Sequence, residues 1–242
     1  VNRFHRLSKL FLVAATAGLA SCAVPDGEGA SPSAPATDAS GWAAFYTSPE
    51  VAAGKVFTLD ARSSAIRIYA FSGGKAPKLG HNHVLGAPQF TGFVYVPPQG
   101  PAGARFDIEL RLDQLDLDRP EYRANLGEAF EAAMTPEAIA STREHMLGPD
   151  NLQAAQFPLL RIHSVEIAGA APKIAARVQV ELHGQRHEYW VPLDVDGLPS
   201  HVSVAGSFVV RQSDFGIQAY AVLGGFLAVQ DELVIEFHLL GT

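Results

Sequence analysis

The feature that most constrains this chain is a period-two alternation of apolar and polar residues, repeated in segment after segment. Residues 106–112 read Phe-Asp-Ile-Glu-Leu-Arg-Leu, and residues 178–182 read Val-Gln-Val-Glu-Leu. The same pattern holds in 189–195 and, less strictly, in 202–210 and 233–239. Side chains two apart on an extended chain share a face, so each segment is a strand with one buried and one solvated side. Strand-like runs at 65–71, 90–96 and 159–167 bring the number to eight, most of them separated by Gly, Pro or Asp turns. Many antiparallel strands with one apolar face must close that face on itself or pair it with another sheet. The fold expected is all-β: eight antiparallel strands whose sheet closes into a barrel or packs against a second sheet.

The apolar sides of these strands carry Phe106, Ile108, Leu110, Val178, Val180, Leu182, Tyr189, Val191, Phe208, Val210 and Phe237. Closure turns this set inward, where it lines a space for an apolar ligand or fills it. One stretch breaks the pattern. Within 119–147, Tyr122, Leu126 and Phe130 recur at helical spacing, and Thr135-Pro136-Glu137 reads as an N-cap followed by a proline and an acid in the first turn. Two short helices joined near Met134 are expected there, inserted between strands and able to cover one mouth of the barrel.

The amino-terminal region has a different character. Arg3, His5, Arg6 and Lys9 precede an apolar stretch over residues 10–20, too short to span a bilayer core of about 30 Å. It ends in Leu19-Ala20-Ser21-Cys22, which resembles the bacterial lipobox, and Cys22 is the single cysteine. These features predict a lipoprotein signal peptide over 1–21, with lipid attached at Cys22 as the membrane anchor. A lone cysteine also leaves stability to core packing, since no intramolecular disulfide can form. Residues 22–55 are assigned to a lipid-anchored flexible tether and 56–242 to the barrel. Trp42, Phe45 and Tyr46 nevertheless make the stretch 41–55 too aromatic for plain linker, and it is expected to pack on the domain. Three of the 18 Lys and Arg, and none of the 25 acidic residues, precede Cys22; the remainder has 15 basic against 25 acidic residues, a net charge of −10. Such a chain is repelled by nucleic acid, and no basic cluster offsets that.

The sharpest local motif is Gly80-His81-Asn82-His83. Histidines at i and i+2 of an extended segment point to one side, a common metal-ligand arrangement, and His81 and His83 are candidate ligands for zinc or copper. His163, His183, His187 and His238 are candidates for a third ligand. In Arg211-Gln-Ser-Asp214-Phe-Gly-Ile217, Gly216 is expected to turn the chain, Asp214 to satisfy backbone donors and Phe215 to plug the core. The acidic pairs Asp107/Glu109 and Asp116/Asp118 read as solvated charge on strand faces or loops. Ser63 and Ser64 have no Gly-x-Ser-x-Gly elbow, and no phosphate-cradling glycine loop occurs. No catalytic residues are assigned, and the protein is read as a non-enzyme.

Taken in order, several segments resemble the YceI-like family, bacterial envelope proteins with a lipocalin-like barrel that bind polyisoprenoid lipids. Phe57-Thr-Leu-Asp60 with Ser64 and Ile66 is similar to the family's opening strands, although Ala61 and Ser63 stand where it usually has Pro and His. Phe157-Pro158 with Ile162 and Ser164, then Val180-Glu-Leu-His-Gly184 and Val191-Pro-Leu193, resemble the next strands. Arg211 to Ile217 resembles the family's Arg-x-Asp-Phe-Gly-Ile signature with one residue inserted. The Gly-His-Asn-His segment departs from the general pattern. The resemblance implies an antiparallel eight-stranded barrel of lipocalin type and a non-enzymatic carrier of a long apolar lipid, a polyisoprenoid or isoprenoid quinone. It also implies a location in the cell envelope, and Ala23 after the cysteine, rather than Asp, resembles lipoproteins anchored in the outer membrane, here facing the periplasm. A histidine-based metal-binding envelope protein and a barrel serving as a protein-interaction module are the alternatives.

Overall fold

The computed structural model describes residues 39–242. The signal peptide over 1–21, the lipidation site Cys22 and the first part of the tether lie outside the described residues. Twelve strands form one sheet: β1 (Lys55–Thr58), β2 (Ala65–Gly73), β3 (His83–Gly86), β4 (Thr91–Val96), β5 (Arg105–Arg111), β6 (Asp116–Leu117), β7 (Leu159–Ala170), β8 (Lys173–Leu182), β9 (Gln185–Asp196), β10 (Val202–Arg211), β11 (Ala221–Val222) and β12 (Leu227–Gly241). Eight of these have six residues or more, and they are the eight read from alternation. The four short ones, β1, β3, β6 and β11, carry too few residues for a period to show.

All pairings are antiparallel, in the spatial order β1-β4-β5-β7-β8-β9-β10-β12-β2-β3-β6. The sheet curls until β1, one end of that order, meets the last residues of β12. Thr58 and Thr242 exchange backbone hydrogen bonds of 3.0 and 3.2 Å, Asp60 N–H donates to Leu240 O at 2.8 Å, and Leu59 bridges Gly241. Tight turns hold the curl. Between β8 and β9 both turn residues, His183 and Gly184, have positive φ (53° and 72°), the two-residue hairpin geometry that matches strand twist.

Alternation then sorts the residues. Val178, Val180 and Leu182 are buried, while their neighbours Gln179 and Glu181 face outward. On that outer face Arg161 pairs with Glu109 (2.8 Å) and Glu181 (3.6 Å), and Arg186 with Glu181 (2.9 Å). Each large apolar side chain turned inward contributes roughly 1.5–3 kcal/mol.

Three helices decorate the sheet: α1 (Ala39–Phe45), α2 (Pro120–Arg123) and α3 (Pro136–Leu147). The α1 segment packs outside the barrel, where Tyr46 stacks on Phe93 and Trp42 tilts against it. The helix expected over Tyr122, Leu126 and Phe130 is a single turn, α2, followed by a short 3-10 turn, Glu128–Phe130. Asn125 and Gly127 adopt positive φ and end it. Thr135 caps α3 as the sequence predicts, its hydroxyl accepting from Ala138 N–H at 3.2 Å.

Candidate functional site: a two-chambered apolar barrel

The inward faces do not fill the barrel. Two cavities lie along its axis, one of about 110 Å³ and one of about 450 Å³, and Ile66, Ile108, Ile162, Phe208 and Ile235 line both, forming the waist between them. The smaller chamber lies beside Leu59, Pro101 and Leu198, and every residue around it is apolar. The larger one opens toward the end that carries α3, and its size falls within the range of small-molecule sites.

Of the eleven residues that the alternation turns inward, ten line these chambers. Phe106, Val178, Val191 and Phe237 face the smaller, Leu110, Val180, Leu182 and Val210 the larger, and Ile108 and Phe208 both. Tyr189 lines neither. Its ring lies against Phe208 and Phe215, and its hydroxyl donates to Asp214 at 2.9 Å. Burial, and then the neighbouring Asp214 carboxylate, push that phenol up. Ile66, Ile68, Leu85, Ile162 and Ile235 line the chambers as well, beyond the set that the alternation marks.

The mouth of the larger chamber is covered by α3. Ala138, Ser141, Thr142, His145 and Met146 line it, a spacing of three and four residues that puts them on one helix face. None of the helix residues is fully buried, so the cover is loosely seated. Two kinds of side-chain tie hold it to the barrel: hydrogen bonds from Arg143 to the carbonyls of Asp113 and Leu115, and stacking of His145 on Tyr220.

His83 stands in the wall of the larger chamber. It shares the inward side of β3 with Leu85, and its Nδ1 hydrogen-bonds Asp118 Oδ2 at 2.6 Å. Asp118 is read from sequence as solvated, but its side chain is fully buried. Val84 N–H donates to its Oδ1 at 3.0 Å, and Arg123 pairs with the same oxygen. Burial alone would raise this carboxyl; the hydrogen bonds from His83, Val84 and Arg123 outweigh it and hold Asp118 below the usual carboxylate range. Arg123 also donates to Asn82 O (2.9 Å) and Ala132 O (3.1 Å), while Asn82 binds Ser72 N–H (2.8 Å) and Ala129 O (3.1 Å). The Gly-His-Asn-His segment thus fastens the loop around α2 to the barrel. Gly86 has a similar part, since a Cβ there would lie 2.4 Å from the Tyr122 ring.

The structure gives the metal reading of the motif no third ligand. His81 is exposed, ahead of β3, and among the described residues no three His, Cys, Asp or Glu side chains converge. The other histidines are dispersed. His163 pairs with Asp107 at 2.6 Å outside the barrel, His183 with Phe215 O at 3.0 Å, and His238 with Ser203 at 3.0 Å, while His187 meets the Phe215 ring edge-on. Asp107, also read as solvated, is buried beneath α1, where Tyr46 (2.7 Å) and Arg105 (3.1 Å) donate to it. A helix of about two turns, with Tyr46 just past its end, laid over a polar sheet face explains why the strand pattern misleads at that position. In the Arg211 segment Gly216 turns the chain (φ 67°) and Phe215 is fully buried, as expected, but Asp214 accepts from the Tyr189 hydroxyl rather than from backbone donors.

Comparison with known proteins agrees with this architecture. BcnA of Burkholderia cenocepacia superposes with a TM-score of 0.56 at 17% identity, over 76% of this chain and 99% of that one. A polyisoprenoid binding domain from Saccharophagus degradans, implicated in plant cell wall breakdown, superposes with a TM-score of 0.53 at 14% identity, over 76% and 97%. At these identities the likeness shows the fold. No curated protein matches the chain. The model of the YceI-like domain matches residues 57–240, and the chain with its curled, hollow barrel belongs to that family.

Proposed function

We propose that this protein binds and carries a long apolar lipid, a polyisoprenoid or isoprenoid quinone, inside the barrel and without catalysing a reaction on it. The observation that carries the reading is the pair of adjoining chambers that share five lining residues. The smaller is wholly apolar, and polar residues enter the lining only in the larger. A chain buried there gains up to roughly 0.8 kcal/mol per CH₂ before ordering costs are subtracted. The polyisoprenoid-binding domain that shares the fold supports the same ligand class. A loosely seated α3 gives a route for entry and exit.

The proposal places the carrier in the bacterial envelope, anchored through lipid on Cys22 to the outer membrane and facing the periplasm. The support is the sequence around Leu19-Ala20-Ser21-Cys22 with its basic and apolar lead-in. Substituting Cys22→Ala is expected to leave an unprocessed precursor that carries no attached lipid. Fractionation and intact-mass measurement check this; an alanine variant that is still processed and still floats with membranes after a high-salt wash overturns the anchor. The ligand itself is tested by competition. Val180→Trp, which places an indole in the larger chamber, is expected to abolish prenyl-lipid uptake while the circular dichroism of the sheet is retained.

A further inference from the structure

The apolar chambers account for a lipid tail and say nothing about its head. The polar groups of the larger chamber are unevenly placed, and one of them is built into the wall. His83 projects inward beside Leu85, and its Nδ1 is taken by the buried Asp118 at 2.6 Å. Asp118 is held in turn by Arg123 and by Val84 N–H, so the imidazole is fixed in place from behind. A carboxylate only accepts hydrogen bonds. It therefore takes the Nδ1–H, and in the neutral ring Nε2 is left with its lone pair. Nε2 has no hydrogen-bond partner among the described residues.

Charge narrows the choice further. No Lys or Arg lines either chamber among the described residues. Arg123, behind Asp118, is committed to that carboxylate and to the carbonyls of Asn82 and Ala132, and Arg143, on the helix over the mouth, to the carbonyls of Asp113 and Leu115. An anionic head such as a phosphate, brought to His83, would meet no permanently charged Lys or Arg in the lining to offset its desolvation.

We propose that His83 receives the head of the bound lipid and that this head is an uncharged hydroxyl, as in a prenyl alcohol or a hydroquinone. This rests on the lipid-carrier reading. The Asp118–His83 pair acts as an oriented acceptor: the hydroxyl donates to Nε2 while its chain runs past the waist at Ile162 and Phe208 into the apolar end. The Gly-His-Asn-His segment is then a specificity element, with Asn82 fastening the α2 loop and His83 reading the ligand.

The experiment is equilibrium dialysis of the full chain against three probes with the same tail: farnesol, farnesyl methyl ether and farnesyl phosphate. Farnesol is expected to bind about 10-fold tighter than the ether, which lacks the donor, and the phosphate to bind more weakly than farnesol. In His83→Leu the ratio of farnesol to ether is expected to fall to about one. Retained circular dichroism of the sheet in His83→Leu shows that its barrel is intact, and the ratio of the two affinities, rather than either affinity alone, is the readout. Equal binding of farnesol and ether by the wild-type chain overturns the assignment of the head and leaves the carrier standing. So does a preference for the phosphate, or a ratio that survives in His83→Leu. If none of the three binds, the carrier reading fails and the head site fails with it.

Discussion

His145 lies on Tyr220 with ring centroids 5.3 Å apart and planes 29° from parallel, joining the last turn of α3 to the segment that leads into β11 across the mouth of the larger chamber. Both residues line that chamber, and neither is buried. The stack therefore works as a latch on the cover more than as a part of the core.

Opening the latch changes release before it changes stability. Aromatic pairs contribute about 0.5–1.5 kcal/mol beyond the area they bury, so His145→Ala is expected to speed ligand release by about 2- to 10-fold. The midpoint of urea unfolding stays close to wild type, because the helix has no fully buried residue to lose. Stopped-flow displacement of a fluorescent prenyl lipid measures the rate; an unchanged rate would mean that α3 does not gate the chamber.

The Asp118 network predicts a marked dependence on one carboxylate. Asp118→Ala strips Val84 N–H, His83 and Arg123 of a buried partner. Removing one member of a buried pair costs about 3–5 kcal/mol, which chemical denaturation resolves. A loss under about 1 kcal/mol would place Asp118 in solvent, as the sequence pattern alone suggests.

The same residue fixes the sign of an acid effect. Its carboxyl ionises at lower pH in the folded chain than in the unfolded one, so the unfolded chain binds more protons in acid. The stability it contributes is complete above the unfolded carboxylate value, about 3.9, and is lost as pH falls through the folded value. Between about pH 5 and about pH 2 the wild-type chain is expected to lose more stability than Asp118→Asn. Parallel loss in both proteins, followed by thermal unfolding across that range, would contradict the assignment.

Phe215 tests the core independently of the ligand. It is fully buried between Tyr189 and His187, on the segment that Gly216 turns. Phe215→Ala is expected to cost about 3–5 kcal/mol, read as a lower midpoint in urea. A near-neutral result would mean that this segment does not seal the barrel.

Much of this architecture was legible in the chain. Strict alternation in β5, β8 and β9 marks an inward face, and the residues it selects line the chambers with the exception of Tyr189. Tyr189 keeps the strand's parity, yet its hydroxyl is drawn to Asp214, a partner 25 residues away that no local pattern shows. Asp107 marks the limit of the pattern, since period two tells which side of a strand a residue takes and not what is laid over that side, and Asp118 lies just past β6, where no period applies. In both cases a short segment, α1 or the α2 loop, crosses the sheet and buries the charge. The histidine motif was seen, but its partner was not. Asp118 lies 35 residues from His83, and only the pairing of β3 with β6 brings them together.

The central claim is that the barrel holds a lipid, and the most direct measurement is mass spectrometry of the organic extract of the full chain purified without a tag from the cells that make it. The account predicts one prenyl lipid per chain, absent from Val180→Trp prepared in the same way. An extract with no stoichiometric lipid, from a protein that also takes up no prenyl alcohol, hydroquinone or quinone when these are offered, would contradict it.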